Sequence, residues 1–462
     1  MWRRAPASVS SPSAPRAPAD ESSPVCALQG TRASRIRGKD RETVFGWSWP
    51  RPVWLLLAAA GLRHVALGAV AVVLGLHLSA LGFEPVAIGG VFTAMLAGGA
   101  ASSALFGLLA DRLGRRRLLM VATLGLVVAS LVFAISSLPA LLLAAAIVGA
   151  LGPTGYDAGP ALSLEQAALA EATRAEQRTG LLAAHTLVSM LGSGIGALAA
   201  SAPESLGMTG SDAYRTVFLG AAAIGLLLLA VLSRLPATIE PPPRVQAGGL
   251  SLLGLHRSRR LILTLSALFA VDAFAGGLAV QSAVAYWFAE KFGASTATLG
   301  MMFSLAQFLM AGSLLLAAPL TRRFGPVNTM VFTHLPANLI LMLVPLMPSV
   351  ELAATLFVIR HLTATLDVPP RQALLLSLVE PDERAAAAGL AAAARTAGSA
   401  IAPAAAGLVW SNPVSGLALV AAGLLKSVYD LALFALLRGL RMPGERRVEP
   451  AKESQSTLLP GD

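Results

Sequence analysis

The sequence predicts an all-α membrane protein, with twelve transmembrane helices in two pseudo-symmetric six-helix bundles. Three observations carry this. Of 462 residues, 55% are hydrophobic and only 13% charged, about half the charged share of a soluble domain. Apolar stretches of about 20 residues, long enough to cross ~30 Å of hydrocarbon as helix, recur along the chain. The two halves of the sequence echo one another across a central polar segment.

A lipid-exposed backbone must satisfy its own hydrogen bonds, so the apolar stretches are read as helices. The short alternating segments of a β-barrel are not seen. Spans are placed at 54–79, 86–109, 118–136, 139–161, 179–200, 215–233, 261–288, 298–320, 327–347, 351–373, 384–409 and 416–437. Ala, Leu and Gly dominate them, which suits close helix–helix approach in lipid.

An even number of spans puts both termini on one side. With the N-terminus in the cytoplasm, that side receives 28 Lys and Arg residues and the opposite side two, Arg215 and Lys291. Five more, Arg63, Arg360, Arg371, Arg395 and Lys426, fall within spans. This asymmetry fixes the expected orientation. Trp47, Trp49 and Trp54 stand where the first span enters the membrane, as interfacial aromatics do. The formal charge of +10 is explained by these flanks, so no nucleic-acid partner is expected.

Residues 1–51 are rich in Ala, Pro, Ser and Arg and lack the apolar core of a secretory signal, so a disordered cytoplasmic tail is expected there. The same reading applies to 441–462. Cys26 is the single cysteine, which excludes an intrachain disulfide and argues against a thiolate metal site. No cofactor is expected.

The polar stretch 234–260, with Pro241-Pro242-Pro243 and five arginines, divides an N-terminal bundle over 52–233 from a C-terminal bundle over 261–440. Gly107-Leu-Leu-Ala-Asp111-Arg112-Leu-Gly114 after span 2 has a weaker partner in Ala318-Pro-Leu-Thr-Arg322-Arg323-Phe-Gly325 after span 8. At an offset of 210, Asp157 meets Asp367 and His185 meets Arg395. Together these fit a parallel repeat of two six-helix units.

The run Gly107 to Asp111, continuing through Arg112, Gly114, Arg115, Arg116 and Arg117, closely resembles the signature of the major facilitator superfamily, in the loop between spans 2 and 3 where that family has it. The resemblance covers roughly 52–440 and implies two bundles rocking around a central cavity. It also implies a gate. The signature Asp, here Asp111, meets the N-terminus of span 11, where the helix dipole is positive. The signature arginines pair with acids near span 4, for which Glu165 and Glu171 are the candidates. Such contacts exist in one access state and so bias the equilibrium.

In this family spans 1, 4, 7 and 10 line the cavity, and those spans carry charge, which is costly in hydrocarbon. Span 1 has Arg63 and His64. Span 4 has Asp157, span 7 has Asp272 with Gln281 further out, and span 10 has Arg360, His361, Asp367 and Arg371. Arg63 and Asp272 lie near mid-depth in the first helices of the two halves, so they are expected to face each other. Either Asp272 binds a coupling proton, tuned by Arg63 or Arg360, or Arg63 and Asp272 form a permanent structural pair. Lys426 and Asp430, spaced i, i+4 on span 12, read as a local pair. Pro153-Thr-Gly-Tyr-Asp157-Ala-Gly-Pro160 in span 4 and Asp367-Val-Pro369-Pro370-Arg371 in span 10 loosen corresponding helices. That points to the moving gate or the binding site, and resembles a bacterial twelve-span subgroup.

Secondary transport of a small molecule is the leading function, as proton-coupled efflux of drug-like or organic compounds, with uptake of a metabolite or organic anion as the alternative. Drug–proton antiporters of the family carry an Arg within span 4 and a Gly-Pro signature in span 5; this chain has neither. A non-transporting sensor is the second class. An enzyme is not expected, since there is no Walker loop, HExxH or GxSxG. The expected partners are a small-molecule substrate, lipid and protons. The expected setting is a bacterial plasma membrane, with the protein monomeric and both termini cytoplasmic.

Overall fold

The structure, a computed structural model, describes residues 41–44, 47–148, 150–155, 159–173, 175–236, 258–380, 383–409 and 415–438. Within these ranges the side chains of 41–48, 111, 175, 176, 376 and 385 are not described. The expected tails over 1–40 and 441–462, most of the linker, and Asp157 lie outside the described residues.

Residues up to Arg51 form a unit of their own. In it β1 (Arg41–Val44) and β2 (Trp47–Pro50) pair antiparallel, with Arg41 opposite Pro50 and Val44 opposite Trp47. The expectation of disorder throughout 1–51 is corrected for this stretch: Thr43, Val44, Trp47 and Trp49 are residue types that favour strands.

The second unit, from Pro52 onward, is helical. The N-terminal half runs α1 (Arg51–Ala80), α2 (Pro85–Leu113), α3 (Arg115–Ile135), α4 (Pro139–Ile147), α5 (Pro160–Ala172), α6 (Ala175–Ala199), α7 (Ala202–Ser205) and α8 (Gly210–Leu232). The C-terminal half runs α9 (Arg259–Gly277), α10 (Gln281–Phe292), α11 (Thr296–Phe324), α12 (Pro326–Leu343), α13 (Val350–Arg360), α14 (Val368–Ser377), α15 (Arg384–Val409) and α16 (Leu417–Leu437). Among the described residues, nine helical stretches are long and apolar enough to cross a membrane. The other three predicted spans are helical too. Spans 4 and 10 are each split in two, as α4–α5 and α13–α14, and span 11 is α15, whose apolarity is diluted by Ala, Gly and Arg395.

Packing repeats between the halves. α3 lies against α8, and α12 against α16 in the equivalent places. The halves meet through α2 against α15 and α6 against α11, again an equivalent pair. α1 is central: Val70, Val72, Val73 and Leu74 have no exposed surface. By contrast α3 presents Val121, Leu124, Val128, Leu131 and Ile135, all exposed, at alternating three- and four-residue steps. That is one apolar helix face, suited to lipid.

Candidate transport site

Three helices that the repeat places in the interior are interrupted. In span 4, α4 ends at Ile147 and α5 begins only at Pro160, where proline suits the first turn because its missing N–H would have no helical acceptor. In span 10, residues after Arg360 tighten into i to i+3 hydrogen bonds, such as Leu362 N–H to Ile359 O at 3.0 Å, before Pro369 and Pro370 open α14. Span 7 is also broken, between Gly277 and Gln281, an interruption that the sequence reading took as one continuous helix. Gly276-Gly277 was the available signal. The freed groups are used across the halves: Ser282 N–H donates to Pro153 O at 3.0 Å, and Ser282 Oγ to Ala71 O at 2.8 Å.

A cavity of about 180 Å³ sits at these interruptions, lined by Thr154 from span 4, Gln281 from span 7, Gln307 from α11 and Thr365 from span 10. Thr154 Oγ1, Gln281 Nε2, Gln307 Oε1 and Thr365 Oγ1 are buried and make no hydrogen bond. Buried polar atoms are rarely left so, and four on one small cavity can bond to a polar guest or to water. Gln307 is held in place by donating from Nε2 to Ser193 Oγ at 2.9 Å. The cavity wall also carries Arg360, His361, His334 and Lys426. Arg360 lies over the Phe357 ring at 5.4 Å, and its Nη1 meets His361 Nε2 at 3.4 Å while His361 Nδ1 donates to Phe357 O at 2.7 Å.

Around the cavity each half settles its own charges. In the first half, Arg63 donates to Glu165 Oε1 from Nε at 3.2 Å and Nη2 at 2.8 Å, and reaches Thr123 Oγ1 at 3.4 Å. His185 Nε2 meets Glu165 Oε2 at 3.1 Å. In the second half, Asp272 receives Arg371 Nη1 at 3.0 Å and Arg395 Nη1 at 3.1 Å on Oδ2, and Lys426 Nζ at 2.6 Å on Oδ1. Arg371 also pairs with Asp367 at 3.0 Å. Arg63 and Glu165 stand on the spans that correspond to those of Asp272 and Arg371, so on these two spans the signs are inverted between halves. Each ion pair named here joins residues of one half.

These contacts correct two expected pairings. Arg63 does not meet Asp272, because α5 carries Glu165 back against α1 while three cations of its own half surround Asp272. Lys426 does not pair with Asp430, because Asp272 on α9 is nearer in space than the residue one turn away on its own helix. Asp430 instead accepts from His334 Nδ1 at 3.0 Å and Asn338 Nδ2 at 2.8 Å. His334 and Asn338 escaped the sequence reading, although a His and an Asn four residues apart in an apolar span were the signal.

In the loop between α2 and α3, Gly114 has φ of 87°, a conformation that favours glycine, and it links the two helices directly. Arg115 grips Glu171 with two hydrogen bonds of 2.8 and 2.9 Å, and Arg116 Nη2 donates to Ser233 O at the end of α8. Of the two acids offered to these arginines, Glu171 is used here and Glu165 is taken by Arg63. Arg112 is exposed, and the side chain of Asp111 lies outside the description.

A buried polar cavity where discontinuous helices meet, between two repeated six-span units, defines a secondary transporter rather than an enzyme. The chain belongs to the major facilitator superfamily, whose family model matches residues 56–403 and, in a second placement, 267–461. It is thus a multi-pass membrane protein that moves small molecules. It is 28% identical over 424 residues to the uncharacterized membrane protein YJR124C of Saccharomyces cerevisiae, covering 84% of this chain and 95% of that one. Its fold is similar to that of the nucleoside transporter NupG, with a TM-score of 0.65 at 16% identity over 85% of this chain and 100% of that one. It is similar also to the xylose transporter XylE from E. coli in an inward open conformation, with a TM-score of 0.64 at 16% identity over 85% and 98%. A bacterial homolog of the human lysosomal transporter Spinster, inward-facing and occupied, gives a TM-score of 0.66 at 15% identity over 84% and 96%.

Proposed function

We propose that the protein is an alternating-access transporter of a compact organic anion or anion-bearing metabolite, bound at the meeting point of spans 4, 7 and 10. One observation carries this: four unpartnered buried polar atoms and the Arg360 guanidinium share a single small cavity. Two hydroxyls and two amides offer both donors and acceptors to a polar body. A guanidinium offers a fork for a carboxylate or phosphate. At about 180 Å³ the cavity is smaller than the 300–1,000 Å³ of pockets for drug-sized ligands. The cavity thus supports the metabolite or organic-anion reading over export of drug-like compounds. We place the termini on the cytoplasmic face, as the distribution of Lys and Arg suggests.

Binding to the purified protein tests this. Benzoate or gluconate is expected to raise the melting temperature of the wild type, as any ligand of the folded state does, and to lose that effect in Arg360→Gln. Stabilisation by the lipophilic cation tetraphenylphosphonium, with none by the anions, overturns the reading in favour of drug-like cargo. Labelled benzoate flux in right-side-out and inverted vesicles then gives the direction.

A further inference from the structure

We propose that the His334–Asp430 pair is the proton-binding site of this transporter, and that a proton there draws the anionic cargo into the cavity. The inference rests on the cavity being the cargo site.

The intramembrane carboxylates differ in what they touch. Glu165 and Asp272 are held by guanidinium or ammonium groups at 2.6–3.2 Å. Asp430 is equally buried, at 1% exposure, yet its oxygens accept from an imidazole and a neutral amide. Among the described residues, no Lys or Arg nitrogen lies within 4 Å of it. With a neutral imidazole, the cluster is a buried anion with no cation in contact. That state is costly, and one proton, on the carboxyl or the ring, removes the cost.

Asn338 is suited to both states. Its Nδ2 now donates to Asp430 Oδ2, while its Oδ1 is buried without a partner. Turning the amide over presents Oδ1 as acceptor to a protonated carboxyl, so the same side chain satisfies the ionised and the neutral acid.

The pair is also in reach of the cargo. His334 lines the cavity beside Lys426, and its Nδ1 is committed to Asp430, which leaves Nε2 to exchange a proton with the cavity. The charged and titratable groups around the pair lie on α9, α13, α14, α15 and α16. α16 brings Lys426 and Tyr429, whose ring meets His334 edge-on at 6.5 Å. α9 brings Asp272 with its partners Arg371 and Arg395 from α14 and α15, and Asp367 pairs with Arg371. Arg360 and His361 stand on the same cavity wall. Lys426 is committed to Asp272, so a proton on the pair adds one full positive charge to the cavity wall. By linkage the proton tightens anion binding and the anion tightens proton binding by the same factor. The coupling is therefore symport: one proton enters with the cargo and leaves with it on the other side.

The test begins without cargo. Infrared difference spectra of the purified full-length protein are recorded at stepped pH across the range in which it stays folded. The wild type is expected to show a titrating carboxyl or imidazolium signal. Asp430→Asn should remove it, and His334→Gln should displace its midpoint. A titration unchanged in Asp430→Asn overturns the proposal. If that variant does not fold, an unchanged midpoint in His334→Gln overturns it instead. The benzoate dissociation constant is then compared at the two ends of the range. The wild type should bind roughly 10-fold tighter at the acid end, and Asp430→Asn should show no pH dependence. A pH dependence of benzoate binding that persists in Asp430→Asn counts against the proton site. An intact titration with no benzoate binding at any pH counts against the anion reading alone.

Discussion

Arg63 and Glu165 form a fully buried pair 102 residues apart, with two guanidinium nitrogens on one carboxylate oxygen. Removing one partner leaves the other charge stranded among apolar helices. Glu165→Gln is therefore expected to destabilise the protein by about 3–5 kcal/mol, whereas removing both charges costs far less. Thermal unfolding of Glu165→Gln beside the double variant Arg63→Gln, Glu165→Gln measures this. A double variant no more stable than the single one would show that the two side chains are not coupled.

Asp272 balances three cations, so replacing it has consequences unlike those of replacing any one of them. Asp272→Asn is expected to lower membrane abundance sharply. Arg395→Gln should be milder, because its side chain is 35% exposed and Asp272 keeps Arg371 and Lys426. Fluorescence-detection chromatography of tagged variants orders them, and equal losses would refute the hub.

Gly89 sits where the start of α2 meets α15, and a Cβ there would run into the Pro403 carbonyl. Gly89→Ala should wedge this contact apart. The nearby Thr93, which accepts from Ala404 N–H at 3.0 Å, should then be uncovered. In a Cys26→Ser background, Thr93→Cys is expected to react faster with a maleimide when Gly89→Ala is added. No change in rate would mean that the contact does not cover Thr93.

Asp111→Asn tests the gate that the loop signature implies. Transport turnover should fall while membrane abundance holds near the wild-type level. A collapse of abundance would make Asp111 a structural residue instead.

The fold was legible because apolar run length and the placement of Lys and Arg are one-dimensional signals. The interruptions at Pro153–Pro160 and Asp367–Pro370 were legible for a similar reason, since proline and glycine act on the backbone locally. Span 7 was not, because Gly276 and Gly277 within an apolar run also suit plain helix packing. Charge pairing was the least legible. Proximity in sequence favoured Lys426 with Asp430, and symmetry favoured Arg63 with Asp272. The actual partners are set by which helices the fold brings side by side: α5 against α1, and α14, α15 and α16 around α9.

That these ion pairs each form within one half bears on how the chain is made. The first six spans leave the ribosome before Asp272 exists. Arg63 and Arg115 nevertheless find Glu165 and Glu171 within the segment already synthesised. This half can therefore settle in the bilayer without exposing an unpaired guanidinium to lipid while it waits for the rest. The second half arrives equally self-sufficient, with Asp272, Arg371, Arg395 and Lys426 all its own. Assembly is then a meeting of two pieces whose ion pairs around Glu165 and Asp272 are already made, and errors in joining them need not break either cluster.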